Sequence, residues 1–218
     1  IGFRAALIDA SVSLKNDNQR ISIFKKSLKD PFAEIRRSVA SNIEVIENIP
    51  EREKLISELI NDEDEKVRQI VSSKLNFVRD ENLKEGLIKQ VYKDSKVSVA
   101  KNVLLYLDQL PKQFKETVIN EFMNKQNEEI KLSLLENLDK IDNDDKKVEI
   151  INKMHDDKNF TVIKAAVSAI KHIENDNVKL SLINKYSKNK FSKDAIASIK
   201  NDDIKFKYLM DMTTSDDY

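Results

Sequence analysis

The sequence predicts an all-α protein, a right-handed α-solenoid of stacked helical hairpins whose unit of about 32 residues repeats along the chain. Three observations predict it. Apolar residues return at helical spacing and in one register. With only two Gly and three Pro, the chain has almost nothing from which to build hairpin turns, bulges or phosphate-cradling loops. Charged residues make up 35% and apolar residues 40%, a mixture that suits amphipathic helices with solvated outer faces and is too apolar for a disordered chain.

The register is set by Ile35, Val67, Val99, Ile130 and Val162, which follow one another at about 32 residues. Each opens a helix, here helix A. Val39 and Ala40 recur as Val71 and Ser72, Val103 and Leu104, Leu134 and Leu135, and Ala166 and Val167. Ile43 and Ile46 recur as Leu75 and Val78, Leu107 and Leu110, Leu138 and Ile141, and Ile170 and Ile173. These positions trace one face of a continuous helix.

A second helix, helix B, follows in each unit. Leu55, Ile56, Leu59 and Ile60 recur as Leu87, Ile88, Val91 and Tyr92, then as Val118, Ile119, Phe122 and Met123. Ile150, Ile151 and Met154 follow, then Leu182, Ile183 and Tyr186. The phase runs back to Phe3, Leu7, Ile23, Phe24 and Leu28. It runs forward to Phe191, Ala195, Ile196, Ile199, Tyr208, Leu209 and Met212. Five clear repeats and two imperfect end units result, at 1–29, 30–61, 62–93, 94–124, 125–156, 157–188 and 189–218, forming a single domain, 1–218.

Boundary residues agree. Pro50 and Pro111 sit where helix B should begin, since the first turn has no backbone donor to lose. Asp80 and Asn175 occupy equivalent places as caps. Asp30–Pro31, Asp62, Asp94 and Asp157 mark the turn into helix A, where a carboxylate suits the positive end of a helix. One unit alone buries too little apolar surface to offset its backbone entropy, so stability belongs to the stack.

Charge is balanced, 38 basic residues against 38 acidic, which lowers the expectation of a nucleic-acid module without removing it. Without Cys there is no disulfide, zinc–thiolate site or thiol nucleophile. No apolar run reaches the roughly 18 residues that span a bilayer, and no signal peptide is visible, so a cytoplasmic location is expected. The chain opens on Ile1 rather than Met, as a processed or excised piece of a longer protein would.

The units resemble HEAT repeats, of the armadillo-like class. Asp30–Pro31 with Ile35–Arg36, Val39–Ala40 and Ile43 is similar to that family's helix A signature of Asp, Val-Arg, Ala and Leu. Asp62 with Val67–Arg68 repeats it, and Phe3–Arg4 sits in the same phase. The resemblance implies that Arg36 and Arg68 pair with the turn Asp of a neighbouring unit. Ala100, Lys131 and Ile163 then stand at the Arg position, which implies weaker bracing in the later units. It also implies a scaffold or adaptor with a concave face lined by B helices.

On that face, the positions that point away from the helix B core read Ser57–Glu58, Lys89–Gln90, Asn120–Glu121, Asn152–Lys153 and Asn184–Lys185. We take Lys89, Gln90, Asn120, Glu121, Asn152, Lys153, Asn184 and Lys185 as the candidate partner-binding residues. Asn side chains on helices about 8–10 Å apart can bridge one another or bind an extended peptide backbone. A solvated helix face produces the same pattern. A second row, Arg20, Arg52, Lys84, Lys115, Lys147 and Lys179, keeps one phase through six units. A cationic ladder of this kind can follow a phosphate backbone. The helical wheel nevertheless places it at the core edge, stems on apolar neighbours and heads toward water.

No catalytic residues, cofactor or metal site are expected. His155 and His172 lie in different units, near helix ends where a cation suits the dipole. The acidic runs Asp62 to Glu65 and Asp142 to Asp145 lack the Gly and terminal Glu of a calcium loop. The expected function is a non-catalytic scaffold binding a protein or peptide along the B-helix face. Two alternatives are a nucleic-acid-binding scaffold that uses the basic row and, by the family resemblance, a DNA alkylation-repair glycosylase.

Overall fold

The computed structural model describes residues 2–186 and 193–214. Among the described residues every regular element is helical, with fourteen α-helices and no strand. The chain divides into two compact units, Ile1–Tyr106 and Leu107–Tyr218. The division falls inside a 3-10 stretch, Lys101–Gln109.

In the first unit, α1 (Gly2–Ser11), α3 (Ala33–Ser41), α5 (Glu65–Ser72) and α7 (Val97–Ala100) are the A helices. The B helices are α2 (Asp17–Ser27), α4 (Ile49–Leu59) and α6 (Glu81–Tyr92). α3 packs between α1 and α5, α5 packs on α7, and each B helix packs on the A helix that follows it. In the second unit α9 (Glu128–Glu136), α11 (Phe160–Ala169) and α13 (Lys193–Ala197) alternate with α8 (Lys112–Asn124), α10 (Asp144–His155), α12 (Asp176–Lys185) and α14 (Asp202–Thr214). There α11 packs between α9 and α13, and α10 packs on α11. Most of the buried apolar residues are ones the register selects, among them Ile35, Val39, Leu55, Ile56, Val67, Leu87, Ile130, Leu134, Ile150, Val162, Leu182 and Ile183, while Ile8, Ile21 and Tyr106 are buried outside it.

Helix A is shorter than its apolar pattern predicts. The α-helix stops near Asn42, Ser73, Asn137 and Ala169, and a 3-10 turn follows at Ile43–Val45, Leu75–Phe77, Leu138–Lys140 and Ile170–His172. Ile46, Val78, Ile141 and Ile173, expected on the helix, are extended residues (ψ 114, 127, 118 and 132°) that stay buried. Asn42 and Asn137 end the helix by turning their amides back onto the Ser38 and Ser133 carbonyls (2.9 and 2.8 Å), satisfying acceptors the last turn leaves open.

Helix B begins where the capping chemistry places it. Asn48, Asp80 and Asn143 accept from the backbone N–H three residues on, at 3.0–3.1 Å, and Asn175 does so from Asn177 and Val178. Pro50 is the second residue of α4, inside the first turn as expected, whereas Pro111 is the N-cap of α8 and supplies no side-chain cap.

Two further expectations fail at the ends. Phe3 and Leu7 are 78% and 51% exposed, on a helix that packs on α3 and α2. Leu209 is likewise exposed, while Ala195, Ile199 and Tyr208 are buried. Phe191 lies outside the described residues.

Candidate functional site

The site rests on helix–turn junctions that repeat as closely as the core does. Each turn Asp into helix A folds its own loop: Asp30, Asp62, Asp94 and Asp157 accept from the N–H two residues on, at 2.8–3.0 Å. Each also receives the cation of the preceding A helix. In the first unit these rungs are Arg4–Asp30, Arg36–Asp62 and Arg68–Asp94, and in the second Lys131–Asp157. Arg36 and Arg68 additionally donate to the carbonyls of Asp30 and Asp62 (2.9 and 2.8 Å). The expected decay of this bracing is therefore corrected at Lys131, whose ammonium reaches Asp157 and the Gln126 side chain. Hydrogen bonding to Lys131 and the Asn159 N–H holds the Asp157 carboxyl below its usual range. Burial pushes the Asp94 carboxyl up, but Arg68 and the Lys96 N–H more than offset it and hold it low.

The basic row is built into the same frame. Arg20, Arg52, Lys84, Lys147 and Lys179 are buried, and Lys115 is partly so. The heads of Arg20, Arg52, Lys147 and Lys179 turn to backbone carbonyls rather than to water, whereas Lys84 and Lys115 reach the exposed carboxylates of Glu81 and Asp142. Arg52 donates to the carbonyls of Ile46 (2.8 Å) and Phe77 (3.2 Å). Lys147 donates to the His172 carbonyl and Lys179 to that of Ser198, both at 2.8 Å. A carboxylate beside each lysine clamps the next loop: Asp144 accepts from the Glu174 and Asn175 N–H groups, Asp176 from those of Lys200 and Asn201. Burial pushes Asp144 up, and these two N–H donors with Lys147 bring it below its usual value.

The eight candidate residues divide between the units. Lys89 and Gln90 are exposed on α6 of the first unit. Gln90 donates to the Asn61 side chain (2.6 Å), and Lys89 pairs with Glu85. In the second unit Asn120 and Glu121 lie on α8, Asn152 and Lys153 on α10, and Asn184 and Lys185 on α12. Asn152 is half-buried and the other five are exposed. The second unit knits its three helices by lysine–asparagine bonds. Lys146 donates to the Asn120 carbonyl oxygen (2.7 Å), Lys153 to that of Asn124, and Lys185 to that of Asn152 (3.0 Å). The Tyr186 hydroxyl donates to the same Asn152 oxygen, and its ring stacks on His155 at 3.7 Å. Asn120 and Asn152 thus each accept from a lysine on the next B helix rather than bonding one another. Asn61, Asn124 and Lys146 complete these bonds and were not singled out by the sequence, while Tyr186 was placed there only as a helix B core position. Asn61 and Asn124 follow Ser57 and Asn120 by one helical turn, a signal the sequence did contain.

Two grooves open beside this surface. One of about 840 Å³ is lined by Lys112, Lys115 and Lys146 but also by Glu116, Asp142 and Asp145. The other, about 450 Å³ between α10 and α12, has Val148, Val178 and Leu182 as its floor and Asn152, Ser181 and Lys185 on its rim. Among the described residues no group of three or more His, Asp or Glu is arranged to hold a metal ion. Burial, with the Lys171 and Lys147 charges, holds the His172 imidazole below its ordinary pKa. Among the described residues, no helix is long and apolar enough to cross a membrane. No family model matches the chain, and no curated protein matches it in sequence.

Proposed function

We propose that the chain is a HEAT-like α-solenoid that acts as a non-catalytic, cytoplasmic scaffold, holding a protein or peptide partner along its B-helix face. One observation carries this reading: the B helices of the second unit present exposed amide and ammonium groups already locked in place by bonds between successive helices, beside an open groove with an apolar floor. Groups fixed before binding lose little side-chain freedom on contact. The repeating cation–Asp rungs and the pairwise helix packing within each unit support the solenoid assignment. The buried basic row favours a protein partner over nucleic acid, because Arg52, Lys147 and Lys179 spend their donors on backbone carbonyls.

The test is site-specific photo-crosslinking in extract of the source organism. A crosslinker at Asn184 or Lys153 is expected to trap one protein, absent when the label sits at Phe160 on helix A. Asn152→Arg combined with Lys185→Glu should abolish the product. Crosslinking that is equal from both faces, or indifferent to the double substitution, would remove this surface from consideration.

A further inference from the structure

The second unit's surface has an imbalance that identifies the chemistry of its partner. Lys146 is paired with Glu149 (2.7 Å) and Lys125 with Glu121 (2.8 Å). Lys153 and Lys185 are different. Both are exposed, and among the described residues their polar contacts are uncharged: Asn124 for Lys153, Asn152 for Lys185. The Lys185 ammonium also lies 5.1 Å from the centre of the Tyr186 ring. Among the described residues, two cations are thus held by neutral anchors and form no ion pair with a carboxylate.

The anchoring also fixes what kind of group the surface can accept. The Asn152 carbonyl oxygen takes bonds from both Lys185 and Tyr186, so its acceptor capacity is spent, while its amide retains N–H donors. The groove between α10 and α12 adds the Ser181 hydroxyl and an apolar floor, and none of its lining residues is acidic. Donors and the Lys185 ammonium on the rim, with Lys153 beside it on α10 and no acidic residue in the lining, call for acceptors and negative charge in the ligand.

We propose that the partner presents an extended acidic segment that crosses α10 and α12, setting one carboxylate against Lys153, a second against Lys185, and an aliphatic side chain on Val148, Val178 and Leu182. This rests on the binding surface proposed above and names its ligand. Lys153 and Lys185 occupy equivalent places on successive B helices, which pack about 8–10 Å apart. A chain extended as a polyproline II helix advances about 3.1 Å per residue with about three residues per turn, so carboxylates three residues apart share one face about 9 Å apart and match the two lysines.

The probe is a fluorescein-labelled peptide carrying two Glu about three residues apart with Val between them, compared with its Gln counterpart by anisotropy. The Glu peptide should bind about tenfold more tightly than the Gln peptide at about 50 mM salt, with the advantage fading at about 500 mM. The Lys153→Gln, Lys185→Gln double variant, altered only at exposed side chains, should bind both peptides equally. Equal binding of the two peptides to the unmodified protein would overturn the proposal, as would an advantage that survives in the double variant or no binding at all. A single-stranded oligonucleotide that binds through the same lysines while the Glu peptide does not would also overturn it, in favour of nucleic acid. If Glu and Gln peptides bind equally and both are lost with Asn152→Arg, the surface stands and only its preference for acid fails. Absence of the face-specific crosslink removes the surface itself.

Discussion

Arg36 meets Asp62 through two parallel bonds, Nε to Oδ2 at 2.7 Å and Nη2 to Oδ1 at 2.9 Å, with both side chains more than nine-tenths buried. The same guanidinium closes its own turn through the Asp30 carbonyl, so one side chain holds two successive loops. Removing Asp62 strips both of these bonds from a buried cation, which keeps only the exposed Glu63 carboxylate at 3.1 Å and the Asp30 carbonyl. Asp62→Ala should therefore destabilise the first unit by about 3 kcal/mol. Arg4→Ala, which breaks the equivalent rung at a half-exposed arginine, should cost less than about 1 kcal/mol. Urea unfolding of the two variants measures the difference, and equal losses would contradict a graded ladder.

Asp64 ties the same junctions to pH. It caps α5 by accepting from the Val67 N–H at 3.0 Å and receives Arg37 at Oδ1 and Oδ2 (2.9 and 2.6 Å). The Arg37 guanidinium is the chief reason its carboxyl falls from 3.8 to about 2, with the Val67 N–H adding to it. A carboxyl lowered in the folded state contributes stability above its unfolded value and loses it as pH falls toward the folded one. This contribution is full above 3.8 and fades toward about 2. Arg37→Gln should flatten the thermal midpoint across that window while lowering it at neutral pH. An unchanged slope would show that Arg37 is not the cause.

Lys179 is 1% exposed, and its ammonium closes on the Ser198 carbonyl at 2.8 Å beside Asp176. Lys179→Met keeps the stem's packing but strands the carbonyl and unbalances Asp176, at an expected cost of about 2 kcal/mol to the second unit. If the basic row served nucleic acid instead, the substitution would weaken oligonucleotide binding with little change in stability. Chemical denaturation and anisotropy on the same sample separate the two.

The core and the loops were readable in the sequence to different depths. Ile35, Val67, Ile130 and Val162 announce their burial because an apolar side chain's place depends on helical period alone. Asp80 and Asn175 announce their caps because the N-cap bond is local. Ile46 and Val78 misled, since an extended residue at a buried corner carries the same apolar side chain as a helical one. Phe3 and Leu7 misled because periodicity marks a face without saying whether anything covers it. Lys147 and Lys179 were placed at the core edge correctly, but their carbonyl partners, 25 and 19 residues away, belong to a later turn whose position only the packed helices define. At the candidate site Asn152 was visible as a repeated residue type, whereas its bonds to Lys185 and Tyr186 required the spacing of α10 and α12.

Tyr106 tests how far a single side chain holds the first unit together. Its hydroxyl donates to the Ser72 carbonyl at 2.8 Å and accepts from the Leu75 N–H at 2.9 Å, bridging the junction where α5 ends and its 3-10 turn begins. The residue is buried, so a phenylalanine in its place would leave both backbone groups without a partner. Tyr106→Phe should destabilise the first unit by about 3 kcal/mol at neutral pH, more than the loss of a solvent-exposed hydrogen bond. The effect has a signature in alkali. Burial pushes the Tyr106 hydroxyl up from 10.0 to about 12, against the opposing pull of the Leu75 N–H. A group whose folded value is raised supports the fold below its unfolded value and loses that support as pH climbs to the folded one. Between 10.0 and about 12, then, the unmodified protein should lose stability that the variant no longer has to lose, and the gap between them should narrow. Urea midpoints that stay a constant distance apart through that range would mean that the hydroxyl titrates alike in the folded and unfolded chains and is not buried at this junction.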